Sequence, residues 1–204
     1  MSMTAHGAAL PETISFEDFL SAYDGVRAEW VDGSVVPMSP ASDRHQNVAD
    51  FLTALMRYWA EKHRLGTVRS SQILMRLGKA ARVPDVLFLE SGNRERLLPN
   101  HLEGPADLVV EIANPESRGR DRGEKFYEYE QAGVREYWLI DPLRETAEIF
   151  RPDVRGRYAP AADGNSSRLR SEVLRGFWIE SRWLWSEPMP TLESVLIEWG
   201  LIPG

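Results

Sequence analysis

Residues 105–142 read PADLVVEIANPESRGRDRGEKFYEYEQAGVREYWLIDP, and no other part of the chain indicates the architecture so directly. Leu108–Ala113 is an apolar run of strand length that one acid interrupts, and Glu136–Ile140 is a second apolar run. Between them, Asp121–Ala132 has the pattern of a helix and is followed by Gly133, a residue type that commonly ends helices. This alternation predicts an α/β fold.

The flanking sequence adds elements of both kinds. We expect a helix capped by Ser15, a hairpin over Glu29–Met38 that turns at Asp32-Gly33, and a long helix from Ser42 or Asp43 to about His63 that Gly66 ends. We also expect strands over Thr67–Leu77, Arg82–Leu89 and Thr146–Phe150, and a last amphipathic turn or helix over Leu192–Trp199. Together they predict a mixed central sheet flanked by helices. We expect one domain over residues 13–204 and a disordered N-terminus over residues 1–12.

The composition restricts the class of protein. The chain has 204 residues, of which 43% are hydrophobic and 27% charged, and these values are typical of one globular domain. It has no cysteine, which excludes disulfide scaffolds, thiolate zinc sites and cysteine nucleophiles. No signal peptide and no apolar run of ~18 residues is present, so we expect a cytoplasmic protein without membrane contact. The net charge of −7 argues against an electrostatic nucleic-acid coat protein but not against a nucleic-acid enzyme, because the local charge at a cleft governs docking.

Two acids occur where burial is expected. Glu111 interrupts the apolar strand Leu108–Ala113, and an unpaired carboxylate there would cost several kcal/mol. Asp85 follows Pro84, which lacks an N–H and therefore places this strand at an edge or at its own beginning. Two carboxylates at the ends of adjacent strands suit Mg²⁺, which binds about two carboxylates plus water. The alternatives are a turn role for Asp85 and a buried salt bridge for Glu111.

A basic segment follows the second acid. Lys125 falls about one turn into the expected helix, from where its ammonium could return to Glu111 and stabilise charge beside a metal. Arg118 and Arg120 lie in the loop before it and are candidates for phosphate contacts. The alternatives are a surface lysine paired with Asp121 at i,i+4 and a solvated arginine loop.

The segments VPDVLFLE (residues 83–90) and 105–142, with AEWVDGSVVPMSPAS (residues 28–42) upstream, resemble the Uma-type restriction endonuclease family of the PD-(D/E)xK nuclease superfamily. The resemblance covers roughly residues 15–195. It implies a restriction-endonuclease-like core and a divalent-metal phosphodiesterase site that holds Mg²⁺ or Mn²⁺. The motif's proline–aspartate pair falls on Pro84-Asp85 and its second acid on Glu111. The superfamily's usual lysine is absent because position 113 is alanine, and the family's lysine in the following helix points to Lys125.

Five further residues are candidates for the periphery of the site. Glu29 matches a family position and is either an additional metal ligand or an exposed strand acid. His45 either contacts substrate or metal-bound water or is a solvated residue at the start of a helix. Asp121 and Tyr127 either hold Lys125 in place or serve as helix cap and core aromatic. We expect Gln72 on a strand next to the site.

Two functions remain open at this point. In the first, Asp85, Glu111 and the backbone carbonyl of Ile112 hold Mg²⁺, and the protein is an endonuclease that acts on nucleic acid, with DNA the expected substrate, as a homodimer or higher homo-oligomer. In the second, the fold serves as a non-catalytic interaction or scaffold protein. The tryptophan-rich C-terminal segment indicates a covered sheet face or a subunit contact rather than a base-stacking surface.

Overall fold

The computed structural model describes residues 13–23, 25–70, 72–114, 118–161 and 167–204, apart from the side chains of Arg118 and Arg120. The helices are α1 (Phe16–Ala22), α2 (Asp43–His63), α3 (Arg118–Arg122), α4 (Glu124–Ala132) and α5 (Leu192–Glu198). The strands are β1 (Ala28–Val31), β2 (Ser34–Pro37), β3 (Gly66–Ser70), β4 (Leu74–Leu77), β5 (Ala80–Arg82), β6 (Val86–Glu90), β7 (His101–Glu103), β8 (Leu108–Ile112), β9 (Glu136–Asp141), β10 (Thr146–Pro152), β11 (Tyr158–Pro160), β12 (Arg168–Arg170) and β13 (Trp178–Glu180). The N-terminal segment predicted to be disordered, residues 1–12, lies outside these ranges.

Six strands form the largest sheet, in the order β11-β10-β9-β8-β6-β3. β8 and β9 pair in parallel, and the other neighbours pair antiparallel. Parallel pairing of strands that are consecutive in the sheet requires a crossover, and the segment that contains α4 supplies it. A second sheet has the order β2-β1-β5-β4-β7, and β12 pairs with β13. These sheets and helices confirm the predicted mixed α/β fold.

Two expected strands are each divided between two sheets. Thr67–Leu77 consists of β3 and β4, which are separated at Gln72, where φ is 109° and the backbone leaves the extended conformation. Arg82–Leu89 consists of the end of β5 and β6, separated around Pro84, which has no N–H for a ladder bond. The chain therefore leaves the largest sheet after β3, forms the β4–β5 hairpin in the second sheet, and returns with β6.

Two helix boundaries also differ from the prediction. The long helix α2 begins after the N-cap Ser42 as expected, but Arg64 ends it in the left-handed conformation and Gly66 begins β3. The helix predicted over Asp121–Ala132 is interrupted at Gly123, after which α4 begins. The helix α3 before it begins already at Arg118, so the prediction of a loop at Arg118 and Arg120 is wrong.

Apolar residues cover both faces of the largest sheet. On one face, α2 and the C-terminal segment pack against alternate residues of the central strands; these are Val86, Phe88, Leu108, Val110, Ile112, Trp138 and Ile140. On the other face, residues of α4, β4 and β7 pack against the intervening positions; these are Leu87, Leu89, Val109, Tyr137 and Leu139. Burial on both faces explains why the central strands have continuous apolar runs.

The C-terminal aromatic residues belong to the first of these faces. Phe177 and Trp183 are buried in it, and Trp178 and Trp185 pack against it partly exposed. The expectation that they cover a sheet face is therefore confirmed. No helix within the described ranges is long and apolar enough to cross a membrane.

Candidate functional site

The structure brings Asp85 and Glu111 together at one end of the largest sheet. β6 and β8 pair antiparallel with Val86 opposite Val110, so one further step along each chain places Asp85 opposite Glu111. Both side chains are buried, and both line a small cavity of about 40 Å³. Asp85 Oδ2 accepts a hydrogen bond from the backbone N–H of Ile112 at 2.7 Å, which fixes this carboxylate at the end of β8.

Lys125 lies in the first turn of α4 and points into the same cavity. Its Nζ is 3.0 Å from Glu111 Oε1 and 3.1 Å from Glu29 Oε1. The alternative of a surface lysine is wrong, because only 5% of Lys125 is exposed. Asp121 does approach Nζ, at 3.6 Å, one turn earlier in the chain. The lysine therefore lies among three carboxylates.

Tyr129 is a site residue that the sequence analysis missed. Its hydroxyl donates to Glu111 Oε1 at 2.6 Å, and the side chain is buried. Its position four residues after Lys125, on the same face of the helix, was the available signal. Tyr127, which we expected as a support for Lys125 or as a core aromatic, is 54% exposed and contacts the ring of Phe126. Both expectations for Tyr127 are wrong because α4 turns that side chain away from the sheet.

Glu29 is buried, so the alternative of an exposed strand acid is wrong. Its Oε2 accepts from Arg82 Nη1 at 3.0 Å, and its Oε1 accepts from the backbone N–H of Val83 at 3.1 Å in addition to contacting Lys125. Both oxygens are thus held by donors of the protein. This arrangement makes Glu29 a bridge between two cations and disfavours it as a metal ligand.

Arg82 is the second residue that the sequence analysis missed. It is 1% exposed and forms a two-point contact with Glu128, from Nε and Nη2 at 2.7 Å each. Its Nη2 also donates to Glu124 at 3.3 Å. The available signal was the same as for Glu111, namely a charged residue at an apolar strand. A charge that is buried there requires a partner of opposite charge.

His45 is buried at the start of α2, so the alternative of a solvated histidine is wrong. Its Nε2 lies 3.1 Å from Asp85 Oδ2. Burial lowers the pKa of His45, and the charge of Arg27 lowers it further, so the imidazole is neutral at neutral pH. Because Asp85 accepts at Nε2, we assign the proton to that nitrogen.

The charges of the central residues follow from burial and from their neighbours. Burial raises the pKa of Asp85 to about 6, against the hydrogen bond from Ile112. Burial also raises the pKa of Glu111 well above its ordinary value, although the charge of Lys125 opposes this. Burial lowers the pKa of Lys125, but its carboxylate neighbours outweigh that effect and raise it, so this side chain is an ammonium ion.

Gln72, Arg118 and Arg120 are the remaining residues that the sequence analysis expected at or near the site. Gln72 is exposed in the turn between β3 and β4 and lines a different cavity, so its predicted position on a strand is wrong. Arg118 and Arg120 lie in α3, and their side chains are outside the described part of the structure.

The donor set has the chemistry of a hard-cation site. One oxygen of each central carboxylate is held by the protein, whereas Asp85 Oδ1 and Glu111 Oε2 accept no hydrogen bond from any described residue. The described residues contain no group of three or more His, Asp or Glu side chains arranged to hold a metal ion. Mg²⁺ needs only one or two carboxylates because it keeps most of its water. The residues that are present therefore fit this ion.

The comparisons with known proteins agree with this architecture. A crystal structure of "a putative nuclease belonging to DUF820 from Anabaena variabilis ATCC 29413" is similar, with a TM-score of 0.66 and 14% identity over 86% of this chain and 98% of that chain. At this identity the likeness shows the fold alone. No curated protein matches the sequence. The family model "Uma2: Putative restriction endonuclease" matches residues 16–182, which is most of the sequence. The match confirms the resemblance found in the sequence, and the chain belongs to the Uma2 family.

Proposed function

We propose that the protein is a divalent-metal-dependent endonuclease that hydrolyses phosphodiester bonds of nucleic acid, with DNA as the substrate. The observation that carries the proposal is that Asp85, Glu111 and Lys125 line one cavity. Asp85 and Lys125 meet there although they are far apart in sequence. Family membership and the nuclease-like fold support it.

The balance of charge around the cavity supports a bound cation. Glu29, Asp85 and Glu111 bring three carboxyl groups to it. Lys125 is the buried cation that Glu29 and Glu111 contact directly, and Asp121 approaches its Nζ from outside the cavity lining. Asp85 Oδ1 and Glu111 Oε2 would hold Mg²⁺, with the carbonyl of Ile112 as a further oxygen ligand. When bound, such an ion polarises a phosphoryl oxygen and lowers the pKa of bound water.

Lys125 acts in this proposal as a fixed positive charge and not as a general base. A general base needs a pKa near the working pH, whereas the carboxylates around Lys125 keep its proton in place. An ammonium ion beside the reacting phosphate stabilises the negative charge that develops in the transition state. Two neighbours position Lys125 and Glu111 relative to each other. Tyr129 donates a hydrogen bond to Glu111, and Glu29 forms an ion pair with Lys125.

Two conservative variants test the proposal. Asp85→Asn and Glu111→Gln keep the size of each side chain, and we expect each to lower Mg²⁺-dependent cleavage of plasmid or oligonucleotide DNA at least 100-fold while circular dichroism shows a folded protein. Glu193→Gln, at an exposed position of α5, should cleave like the wild type. Cleavage at the wild-type rate by both conservative variants would contradict the assignment.

The scaffold alternative has one observation in its favour, which is that no third acidic or histidine ligand accompanies Asp85 and Glu111 among the described residues. Binding of an ion to the folded state alone raises the melting temperature by mass action. An active site should therefore give a melting temperature that rises with millimolar Mg²⁺ or Mn²⁺ in the wild type and not in Asp85→Asn. An unchanged temperature in the wild type would favour the scaffold function.

Cleavage of both strands of a duplex would call for a homodimer, which sedimentation with and without DNA measures.

A further inference from the structure

A second, larger cavity opens beside the cavity that contains Asp85 and Glu111. Its volume is about 230 Å³, and it lies between α1, the segment before β1 and the turn after β3. Arg27 and Met38 line both cavities, so the two are adjacent. The ring of Tyr23, which is stacked on Phe19 at 5.2 Å between centroids, lines the larger one. The larger cavity therefore has aromatic residues in its lining and lies beside the cavity that contains the carboxylates.

Arg27 is the charge at the junction of the two cavities. It is exposed, and its side chain forms no ion pair or hydrogen bond with any described residue. Its charge nevertheless reaches the site, since it lowers the pKa of both His45 and Asp85. A guanidinium that lines the cavity of the carboxylates and has no partner among the described residues has the charge and the planar donor geometry that a phosphate group requires.

Two further arginines lie beyond the larger cavity. Arg69 and Arg94 line one cleft of about 360 Å³, and neither forms an ion pair with a described acid. Burial lowers the pKa of Arg69, and the nearby charge of Arg94 lowers it further, so two like charges are held close together. Residues next to each other in the chain line the two surfaces, because Gln72 and Asn100 line the larger cavity and Ile73 and Pro99 line the cleft.

We propose that these three surfaces form a binding track for one strand of the substrate. Arg27 binds a phosphate group next to the reacting one, the cavity of about 230 Å³ takes one nucleobase against Tyr23, and Arg69 with Arg94 binds a further phosphate. Guanidinium groups bind phosphate oxygens in pairs, and bases stack on aromatic rings without regard to sequence. This inference rests on the proposed function, because it takes the substrate to be nucleic acid.

The charged part of the track is tested by binding without cleavage. Fluorescence anisotropy in EDTA measures the Kd of labelled single-stranded and duplex oligonucleotides. We expect Arg69→Ala/Arg94→Ala and Arg27→Ala each to weaken binding about tenfold at low salt, and the double variant to reduce the slope of log K against log salt concentration by about 1.5. The matched control is Arg155→Ala/Arg175→Ala, which removes two exposed arginines that lie outside the track and should bind like the wild type.

The cavity is tested by filling it. Val26 is exposed and lines the cavity, so Val26→Trp should keep the fold and block the base, weakening binding about fivefold or more. Val154→Trp, at a fully exposed turn residue, is the control and should leave the Kd unchanged.

The outcomes separate the track from the function. A wild type that cleaves DNA with Mg²⁺, but whose track variants all bind like their controls, would overturn the track and leave the nuclease in place. Weakened binding by the track variants, together with full cleavage by Asp85→Asn, would support the track and reject the catalytic site. A wild type that binds no oligonucleotide would overturn the track.

Discussion

At the scale of single residues, the site is a series of charged side chains that are buried in the apolar core, where a charge is unfavourable in free energy. Arg82, Glu29, Lys125 and Glu111 follow one another through ion pairs of 3.0–3.1 Å. Burying charges costs several kcal/mol for each ion unless partners compensate for it. Because Asp85 and Glu111 keep raised pKa values despite their neighbours, this compensation is incomplete at the two acids that face the cavity. Stability is thus reduced where the proposed function needs carboxylates.

Asp85 gives a pH-dependent prediction. Between pH about 4 and about 6 the folded state binds a proton that the unfolded chain has released, so stability falls as the pH rises through this range. An asparagine side chain does not titrate, and we expect Asp85→Asn to raise the free energy of unfolding by about 1–3 kcal/mol at pH 8 and not at pH 4. Urea unfolding at both pH values measures the difference. An equal effect at both would show that ionisation is not its cause.

Lys125 gives a prediction of the opposite sign. Lys125→Met leaves Glu111, Glu29 and Asp121 without their shared cation, and we expect a loss of about 3–5 kcal/mol at pH 8. The loss should be smaller at pH 5, because carboxyl groups that have taken up protons no longer repel one another. Urea unfolding checks this, and a loss independent of pH would indicate a packing effect instead.

At the scale of elements, close contact between backbones sets the position of β3. A Cβ atom at Gly66 would lie 2.1 Å from the carbonyl oxygen of Leu89 and 2.8 Å from the ring of Phe88. No L side chain fits that space without a backbone shift. Gly66 therefore brings the first residue of β3 against β6, and the same pairing continues to Ser70 opposite Val86, next to Asp85.

Substitution of this glycine is the corresponding prediction. Gly66→Ala should lower the free energy of unfolding by about 1–3 kcal/mol, because overpacking forces β3 away from β6. Gly92→Ala is the control, since that residue has open space around it, and it should change stability by less than about 0.5 kcal/mol. Thermal unfolding compares the two variants, and equal melting temperatures would contradict the expected clash.

At the scale of the whole molecule, the sheet has two covered faces that belong to different parts of the chain. The first face buries residues of α2, the central strands and the C-terminal segment in one cluster. The site lies where α2, α4 and the central strands meet, since His45 lies in α2, Lys125 in α4 and Glu111 in β8, and Asp85 directly precedes β6. We infer that residues 13–204 unfold as one unit.

One cooperative transition is therefore expected. Far-ultraviolet circular dichroism and tryptophan fluorescence should give the same midpoint in urea. Phe177→Ala removes a buried ring from the first face and should shift both curves equally, by about 3–5 kcal/mol. Two separate midpoints, or a shift in only one signal, would show that the C-terminal segment is an independent unit.

The sequence by itself determined the mixed α/β class, the central strands and the two acids that meet. Hydrophobic periodicity is a local property, so the apolar runs at β8 and β9 and the anomaly of Glu111 within one of them are visible without a structure. The helix caps Ser15 and Ser42 were likewise correct, because a cap depends on a few neighbouring residues.

Only the tertiary structure decided which charges are paired. Arg82 and Glu29 lie 53 positions apart, and Tyr129 reaches Glu111 only because α4 packs over β8. It also decided that β3 and β4 belong to different sheets, since the break at Gln72 is a positive-φ conformation that residues other than glycine seldom adopt. Local pattern can show that a charge is buried and needs a partner, but the partner is set by residues that are distant in sequence and meet only in the folded chain.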